Sequence, residues 1–503
     1  MYKNLKKNAI ANYIGQFYNI AIGIIILPFY LEYLGSEAYG LVGFFTMLMS
    51  WMMLLDMGLS TTLQREVARL KDKNNGLLDL KQVIVSVESV YILIAFMITI
   101  IIYSFSSEIA THWLDIQELS IHTVQVAIEI MAFLLAIRWF VSLEYGVVIG
   151  FEEQVWLNKY KIFINTLKYV GAFFVIRYIS NEIIYFFIYQ LSVGILEFIL
   201  IKVKVNQFFN TVEEKVYPSF TKLQNIMPFA ISIAYTAGIW LFVTQIDKLM
   251  LSHYLTLEEY GYFSLVIIAS NGVLQMFQPI GQAILPRMTS LLSNGQEKEM
   301  IELYHKSTQV VAIVILSVTG IVAFYGYELL YAWTGNVEAA KWAAPILFWY
   351  ALGNGFVALL SFQYYMQYAH GNLKYHVKGN TYFGFLQIGV MIYAVYYYGA
   401  LGAGITWFSL QVIFLSFWPG FIHSKFAPGI HKEWLFKDIV PIIISSSFYL
   451  YIIKSIDFTF SYTRIEIFFL LIILGVCLLF VNILTSSIGR NYLVNYFKLG
   501  FKK

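Results

Sequence analysis

The octapeptide YLGSEAYG at residues 33–40 returns as YLTLEEYG at residues 254–261. The offset is 221 residues without a gap, and five of the eight positions are identical. Each copy follows one long apolar segment and precedes another. A membrane chain whose halves repeat in register is typical of a transporter built from two helical bundles around a central path.

The composition indicates a membrane protein. Of the 503 residues, 59% are apolar and only 13% are charged, and the mean hydropathy is +0.67. A soluble domain carries about 25% charged residues. The apolar runs reach the ~20 residues of a spanning helix, and the alternation of a β-barrel is absent. We therefore predict an all-α polytopic membrane protein with two parallel six-helix repeats and two further C-terminal helices, forming a V-shaped two-lobe transporter.

About fourteen transmembrane helices are predicted. They cover residues 8–31, 38–60, 83–105, 122–149, 162–179, 183–201, 223–252, 260–285, 308–326, 342–369, 379–398, 402–422, 438–454 and 465–485. The predicted domains are an N-terminal lobe (1–205, spans 1–6), a cytoplasmic linker (206–222), a C-terminal lobe (223–422, spans 7–12) and an extra helix pair with a cytoplasmic tail (423–503).

The basic residues set the predicted orientation. Of the 33 Lys and Arg residues, 26 fall in alternate segments that include both termini, four fall in the other segments, and three lie within spans. Because cytoplasmic loops are enriched in Lys and Arg, both termini are predicted to be cytoplasmic. The one cysteine, Cys477, allows neither an intrachain disulfide nor a cysteine metal cluster, and no metal or cofactor is expected.

Three groups of short motifs carry a resemblance to a known family. They are YLG…YGL at 33–41, LDMGL at 55–59 followed by QRE at 64–66, and QIDK at 245–248 followed by YGY at 260–262 and Pro286. With fourteen predicted spans, the chain resembles the polysaccharide-export (Wzx-type, O-antigen-like) flippases of the multidrug/oligosaccharidyl-lipid/polysaccharide exporter superfamily.

The resemblance implies a protein of the cytoplasmic (inner) membrane that is not an enzyme. It implies translocation of undecaprenyl-pyrophosphate-linked oligosaccharide by alternating access, for a surface polysaccharide such as lipopolysaccharide O-antigen or capsule. The implied partners are that glycan lipid, membrane lipids, a coupling cation (H⁺ or Na⁺) and polysaccharide-assembly proteins, with no nucleic acid.

Two amide stripes are candidates for sugar binding. They are Asn12, Gln16 and Asn19 on span 1, and Asn271, Gln275 and Gln278 on span 8, each at helical spacing. Amides that face lipid cost several kcal/mol, so these faces meet protein or water. Two interpretations stay open, which are a hydrated cavity for sugar hydroxyls and hydrogen bonding between helices. The resemblance places spans 1, 2, 7 and 8 around the central cavity.

Charged residues within the spans are the other candidates. Arg138, Lys168 and Lys248 are predicted to bind pyrophosphate or an acidic sugar, and a structural ion pair or snorkelling is the alternative. Four carboxylates are predicted to couple a cation: Asp247, Glu129, Glu144 and Asp56. Asp247 adjoins Lys248 and would be neutralised by it, whereas Asp56 ends span 2 and would anchor a helix end.

Other functions fit the sequence less well. The chain lacks GxxxxGK[ST], HExxH and CxxC, and its eight histidines are scattered without ligand spacing. A lipid II flippase of the same superfamily would have arginines in spans 1 and 8, where this chain has amides. A drug/cation antiporter would generally have twelve spans. A membrane-embedded polysaccharide polymerase or ligase would usually carry a long external loop, and here the longest is about fifteen residues.

Overall fold

The chain is almost entirely helical. The computed structural model describes residues 2–56, 58–71, 73, 76–456 and 463–490. The helices are α1 (Tyr2–Leu34), α2 (Ser36–Leu55), α3 (Leu59–Leu70), α4 (Gly76–Ser104), α5 (Ser106–Glu108), α6 (Ile121–Gly150), α7 (Gln154–Thr166), α8 (Ala172–Tyr178), α9 (Ile183–Gln207), α10 (Phe220–Tyr254), α11 (Leu257–Ser293), α12 (Glu297–Phe324), α13 (Gly326–Thr334), α14 (Val337–Ala369), α15 (Lys374–Phe426), α16 (Ile430–Glu433), α17 (Val440–Ser455) and α18 (Arg464–Thr485). Within the described ranges, three π-helical turns occur, at Ile109–Trp113, Leu167–Gly171 and Trp434–Ile439.

The all-α polytopic class predicted from the sequence is confirmed. Among the described residues, ten helices are long and apolar enough to cross a membrane. One of them, α15, has 53 residues and is two helices joined at Gly399, whose φ of 59° and ψ of −147° are not helical. Only glycine adopts such a backbone readily. The kink separates the predicted spans at 379–398 and 402–422, and the count of fourteen crossings stays a prediction.

The segment between the predicted spans 38–60 and 83–105 contains most of an additional amphipathic helix, α3. Along α3, Leu59, Leu63, Val67 and Leu70 are buried at three- and four-residue intervals. This face packs against α6, where a Cβ added to Gly150 would lie 2.5 Å from Val67 Cβ. The sequence analysis did not predict this helix, because its apolar stripe is too short for a membrane span and basic residues interrupt it.

The chain divides into two compact units, residues 1–261 and 262–503, and the division falls within α11. In the first unit, α6 packs against α3, α4 and α9, while α1 packs against α7. In the second unit, α14 packs between α12 and α15, and α12 also contacts α17 and α18. Large buried side chains such as Tyr304, Phe362 and Trp434 fill the core of the second unit. The predicted lobes 1–205 and 223–422 stay a prediction.

The two copies of the repeated octapeptide meet within the first unit. A Cβ added to Gly40 would lie 1.9 Å from the carbonyl oxygen of Leu257. Reciprocally, a Cβ added to Gly261 would lie 2.7 Å from the carbonyl oxygen of Ser36. Residues 36 and 257 are related by the same offset of 221 as residues 40 and 261. The start of α2 and the start of α11 therefore pack backbone to backbone in a reciprocal contact, which explains both glycines.

Candidate functional site

A π-helical turn lies in the middle of predicted span 5. It covers Leu167–Gly171, between α7 and α8. Because a π turn interrupts the regular backbone ladder, its carbonyls become available to side chains. Three of them accept hydrogen bonds, from Tyr189 Oη to Leu167 O at 3.0 Å, from Gln190 Nε2 to Lys168 O at 2.8 Å and from Tyr30 Oη to Tyr169 O at 2.7 Å. The turn is thus held by α1 and α9, and π turns are frequent at functional sites.

Arg138 lies beside this turn, on α6. Its Nη2 donates to Gln190 Oε1 at 2.5 Å, so Gln190 links Arg138 to the backbone of Lys168. The guanidinium carbon lies 5.1 Å from the centroid of the Phe45 ring, which is a cation–π distance. Arg138 Nε is buried without a hydrogen-bond partner, and no described carboxylate forms an ion pair with Arg138. The guanidinium therefore retains donor capacity and is not neutralised by a direct ion pair.

Lys168 is paired. Its Nζ lies 2.6 Å from Glu197 Oε2 on α9, and both side chains are largely buried. Two tyrosines complete the surroundings of Glu197, since Tyr145 Oη donates to Oε1 and Tyr160 Oη donates to its backbone carbonyl, each at 2.5 Å. The structural ion pair that the sequence left as an alternative for Lys168 is the one observed.

A further cation was missed from the sequence. Lys161 Nζ lies 4.6 Å from the centroid of the Tyr145 ring. Lys161 precedes Lys168 by seven residues, so two helical turns place both on one face, and this spacing is visible in the sequence. We call Arg138, Lys161, Lys168, Gln190 and Glu197 the cationic cluster. It contains three basic side chains and one carboxylate, so positive charge exceeds negative charge by two.

The amide stripe on span 1 makes hydrogen bonds between helices. Asn158 Nδ2 donates to Asn12 Oδ1 at 2.5 Å, and Asn165 Nδ2 donates to Asn19 Oδ1 at 2.8 Å. Both pairs have the same sequence offset, so α1 and α7 run parallel in a fixed register. Gln16 is half-buried and makes no hydrogen bond to a described residue. For Asn12 and Asn19 the geometry corresponds to interhelical association.

The amide stripe on span 8 is more exposed than the stripe on span 1. Asn271 and Gln275 are exposed within the second unit, and Asn354 Nδ2 lies 3.4 Å from Asn271 Oδ1. An amide on an apolar helix is costly against lipid, so this face is suited to water or a polar ligand. The side chain of Gln278 lies outside the described residues.

The remaining candidates lie apart from the cationic cluster. Lys248 Nζ is 3.4 Å from Asp247 Oδ1 of the adjacent residue, and it also donates to the carbonyl of Thr244. Glu129 Oε1 accepts from Ser106 Oγ at 3.2 Å and from Gln125 Nε2 at 3.0 Å. Both arrangements give these charges local partners.

Asp56 and Glu144 are also engaged. The Asp56 carboxylate accepts from the hydroxyls of Ser60 and Tyr91, and Ser60 N approaches Asp56 Oδ2 at 3.4 Å, so Asp56 anchors the start of α3. Glu144 Oε1 lies 2.8 Å from Lys202 Nζ. The sequence-predicted residues that the structure brings together are thus Arg138 and Lys168, bridged by Gln190.

The comparisons with known proteins agree with this architecture. The sequence model of the polysaccharide biosynthesis protein family matches residues 5–292. The chain belongs to this family. This match agrees with the family resemblance found in the sequence motifs, so the predicted recognition is confirmed.

Three solved structures share the fold. The lipid II flippase MurJ in an inward closed conformation superposes with a TM-score of 0.69 at 16% identity, covering 97% of this chain and 99% of MurJ. An inward-facing multidrug resistance MATE family transporter gives 0.63 at 12% identity, covering 82% and 96%. The Vibrio cholerae MATE transporter VcmN, as a point mutant, gives 0.56 at 12% identity, covering 84% and 97%. No curated protein matches significantly.

Proposed function

We propose that the protein is a flippase that moves undecaprenyl-pyrophosphate-linked oligosaccharide units across the cytoplasmic membrane for surface polysaccharide biosynthesis. Its termini lie in the cytoplasm, its lobes are residues 1–205 and 223–422, and it works by alternating access with the substrate chemically unchanged. The observation that carries the proposal is Arg138, a membrane-embedded guanidinium whose described polar partner is a neutral glutamine.

The chemistry of the cationic cluster suits a pyrophosphate. An arginine fork binds phosphate oxygens in a bidentate way, and the hydrogen bonds are strengthened by charge. The excess of two positive charges would attract an anion and repel a cationic drug, which disfavours the antiporter alternative. Membership in the polysaccharide biosynthesis family supports a substrate in which the pyrophosphate carries a glycan. The exposed amides of Asn271 and Gln275 offer donors and acceptors for sugar hydroxyls.

Substitution of Arg138 tests the proposal. A hydrogen bond to a charged group contributes about 1.5–3 kcal/mol, so Arg138→Gln should weaken binding of the pyrophosphate-linked glycan about 10- to 150-fold. Arg138→Lys keeps the charge and loses the fork, so its affinity should be intermediate. Arg177→Gln is the matched control, because Arg177 is exposed and interacts with Tyr33 and Tyr178 away from the cluster.

The assay measures binding in detergent and export in proteoliposomes, after membrane abundance of each variant has been equalised. Lipid-linked oligosaccharide and lipid II are compared side by side, since both carry pyrophosphate. Preference for lipid II would favour the lipid II flippase alternative. Full binding and export by Arg138→Gln would remove the cationic cluster from the substrate site.

A further inference from the structure

Helices α6 and α9 share a second polar cluster besides the cationic one. The pairs Arg138–Gln190 and Tyr145–Glu197 have the same sequence offset, so the two helices run parallel in register. Beyond the second pair, Lys202 Nζ of α9 lies 2.8 Å from Glu144 Oε1 of α6 and also forms an ion pair with Glu88 of α4. We call Glu88, Glu144 and Lys202 the carboxylate triad.

The carboxylate triad is largely buried and contains two carboxylates but only one ammonium group. The Glu144 side chain is 0% exposed, compared with 15% for Glu88 and 26% for Lys202. Glu144 Oε2 is buried and has no hydrogen-bond partner among the described residues. A buried, unpaired carboxylate oxygen costs free energy that a proton would recover.

Several other charged groups on or beside the neighbouring helices are engaged elsewhere. They are Asp56 with Ser60 and Tyr91, Glu66 with Arg69, Lys81 with the Val212 carbonyl, Lys204 with Glu153, Lys71 with Glu152, and Glu197 with Lys168. The carboxylate triad is therefore left with one ammonium against two carboxylates, which is an excess of one negative charge.

We propose that the carboxylate triad is a proton-binding site, in which Glu88 and Glu144 share one proton above Lys202. Protonation converts one carboxylate to a neutral acid whose hydroxyl donates to the other carboxylate, and the triad becomes neutral. The Lys202 ammonium contacts both carboxylates, so its positive charge disfavours binding of a metal cation between them. Glu88 and Lys202 are partly exposed, so the proton would enter the triad from their side, while Glu144 is closed off.

The triad also has a direct connection to the cationic cluster, and this step rests on the proposed function. Glu144 is followed by Tyr145, whose hydroxyl donates to Glu197 in the cluster. Neutralising the triad removes a negative charge near the cluster, so an anionic substrate should bind more tightly to the protonated protein. By reciprocity, substrate binding should then take up protons.

Infrared spectroscopy of purified protein tests the site without any substrate. The wild type should show a carboxylic acid band that persists well above the pH at which free glutamate titrates, about 4.3. Glu144→Gln and Glu88→Gln should each remove that band, because either leaves a balanced pair with Lys202. Lys202→Met should extend the band to higher pH. Glu153→Gln is the matched control, since Glu153 is an exposed carboxylate paired with another α9 lysine, Lys204, at 3.7 Å.

A band unchanged in both glutamate variants would overturn the site. Proton uptake on addition of lipid-linked oligosaccharide, followed with a pH indicator in weak buffer, tests the connection. It should be present in the wild type and lost in Glu144→Gln, and persistence in that variant would overturn the coupling role. If the wild type fails to bind the glycan at all, the proposed function fails while the infrared result still decides the proton site.

Discussion

Gly40→Ala is the perturbation whose consequence follows most directly from the geometry. Gly40 faces the carbonyl oxygen of Leu257, at the point where the two copies of the repeated octapeptide pack. An added Cβ would lie 1.9 Å from that oxygen, whereas ordinary C···O contacts are about 3.3–3.6 Å. The start of α2 and the start of α11 must therefore separate by roughly 1.4 Å or more, and the obstacle is backbone rather than a flexible side chain.

The size of the effect can be bounded. Overpacking of a close contact costs about 1–3 kcal/mol, so any equilibrium between this packed arrangement and a separated one should shift about 5- to 150-fold toward separation. Gly261→Ala should have a smaller effect of the same sign, because its Cβ would lie 2.7 Å from the Ser36 oxygen. The shift toward the separated arrangement should be largest in Gly40→Ala, smaller in Gly261→Ala and smallest in the control variants.

Spin-label distance measurement is the assay. Labels at the exposed positions Glu32 and His253, just before α2 and near the end of α10, should show a longer distance population in Gly40→Ala. Gly23→Ala and Gly272→Ala are the matched controls, because nothing lies within 4 Å of the added Cβ in either. They share the gain in helix propensity of a Gly-to-Ala change without the clash. A distance distribution in Gly40→Ala that matches these controls would refute the reasoning.

Two further predictions concern topology and the Lys168 ion pair. Cysteines that replace the exposed Ser107 and Glu338 should react with a membrane-impermeant reagent added outside the cell. A cysteine that replaces Glu214 in the linker should not react. The reverse pattern would overturn the predicted orientation. Lys168→Met should lower the folded yield, because it leaves Glu197 buried and unpaired and reduces the free energy of unfolding by about 3–5 kcal/mol. Adding Glu197→Gln to the same chain should restore the yield. A normal yield for Lys168→Met alone would contradict the pairing.

Much of the fold could be predicted from the sequence because long apolar runs dictate helices, and the repeat identifies two segments that pack together. The 221-residue offset relates Ser36 and Gly40 to Leu257 and Gly261, the residues that touch. Helix α3 was not predicted, since its stripe of four buried apolar residues is interrupted by charges and lies beyond the end of a span. The π turn at Leu167–Gly171 was not predicted either, because it depends on hydroxyl and amide donors from α1 and α9 that are distant in sequence.

The site was predictable only in part, because a sequence shows which polar residues are embedded but not which of them are paired. Arg138 and Lys168 looked alike as embedded cations, yet only Lys168 has a carboxylate partner among the described residues. Glu144 was predicted from the sequence to couple a cation, and the structure pairs its carboxylate with Lys202, a contact that the sequence did not indicate. Pairings between helices depend on their register, which amide contacts such as Asn12–Asn158 help to set and which no local pattern encodes.

Pairing is also what separates structural from functional candidates. Asn12, Asn19, Lys168 and Asp56 have their hydrogen-bonding or charge needs met inside the protein. Arg138 differs, because a cation at mid-membrane costs at least ~2.5 kcal/mol and its Nε finds no partner among the described residues. Glutamine at position 138 would avoid that cost, so packing alone gives no reason for an arginine. A bound anion would compensate it, and for that reason Arg138 is the cation in the sequence that we assign to the substrate.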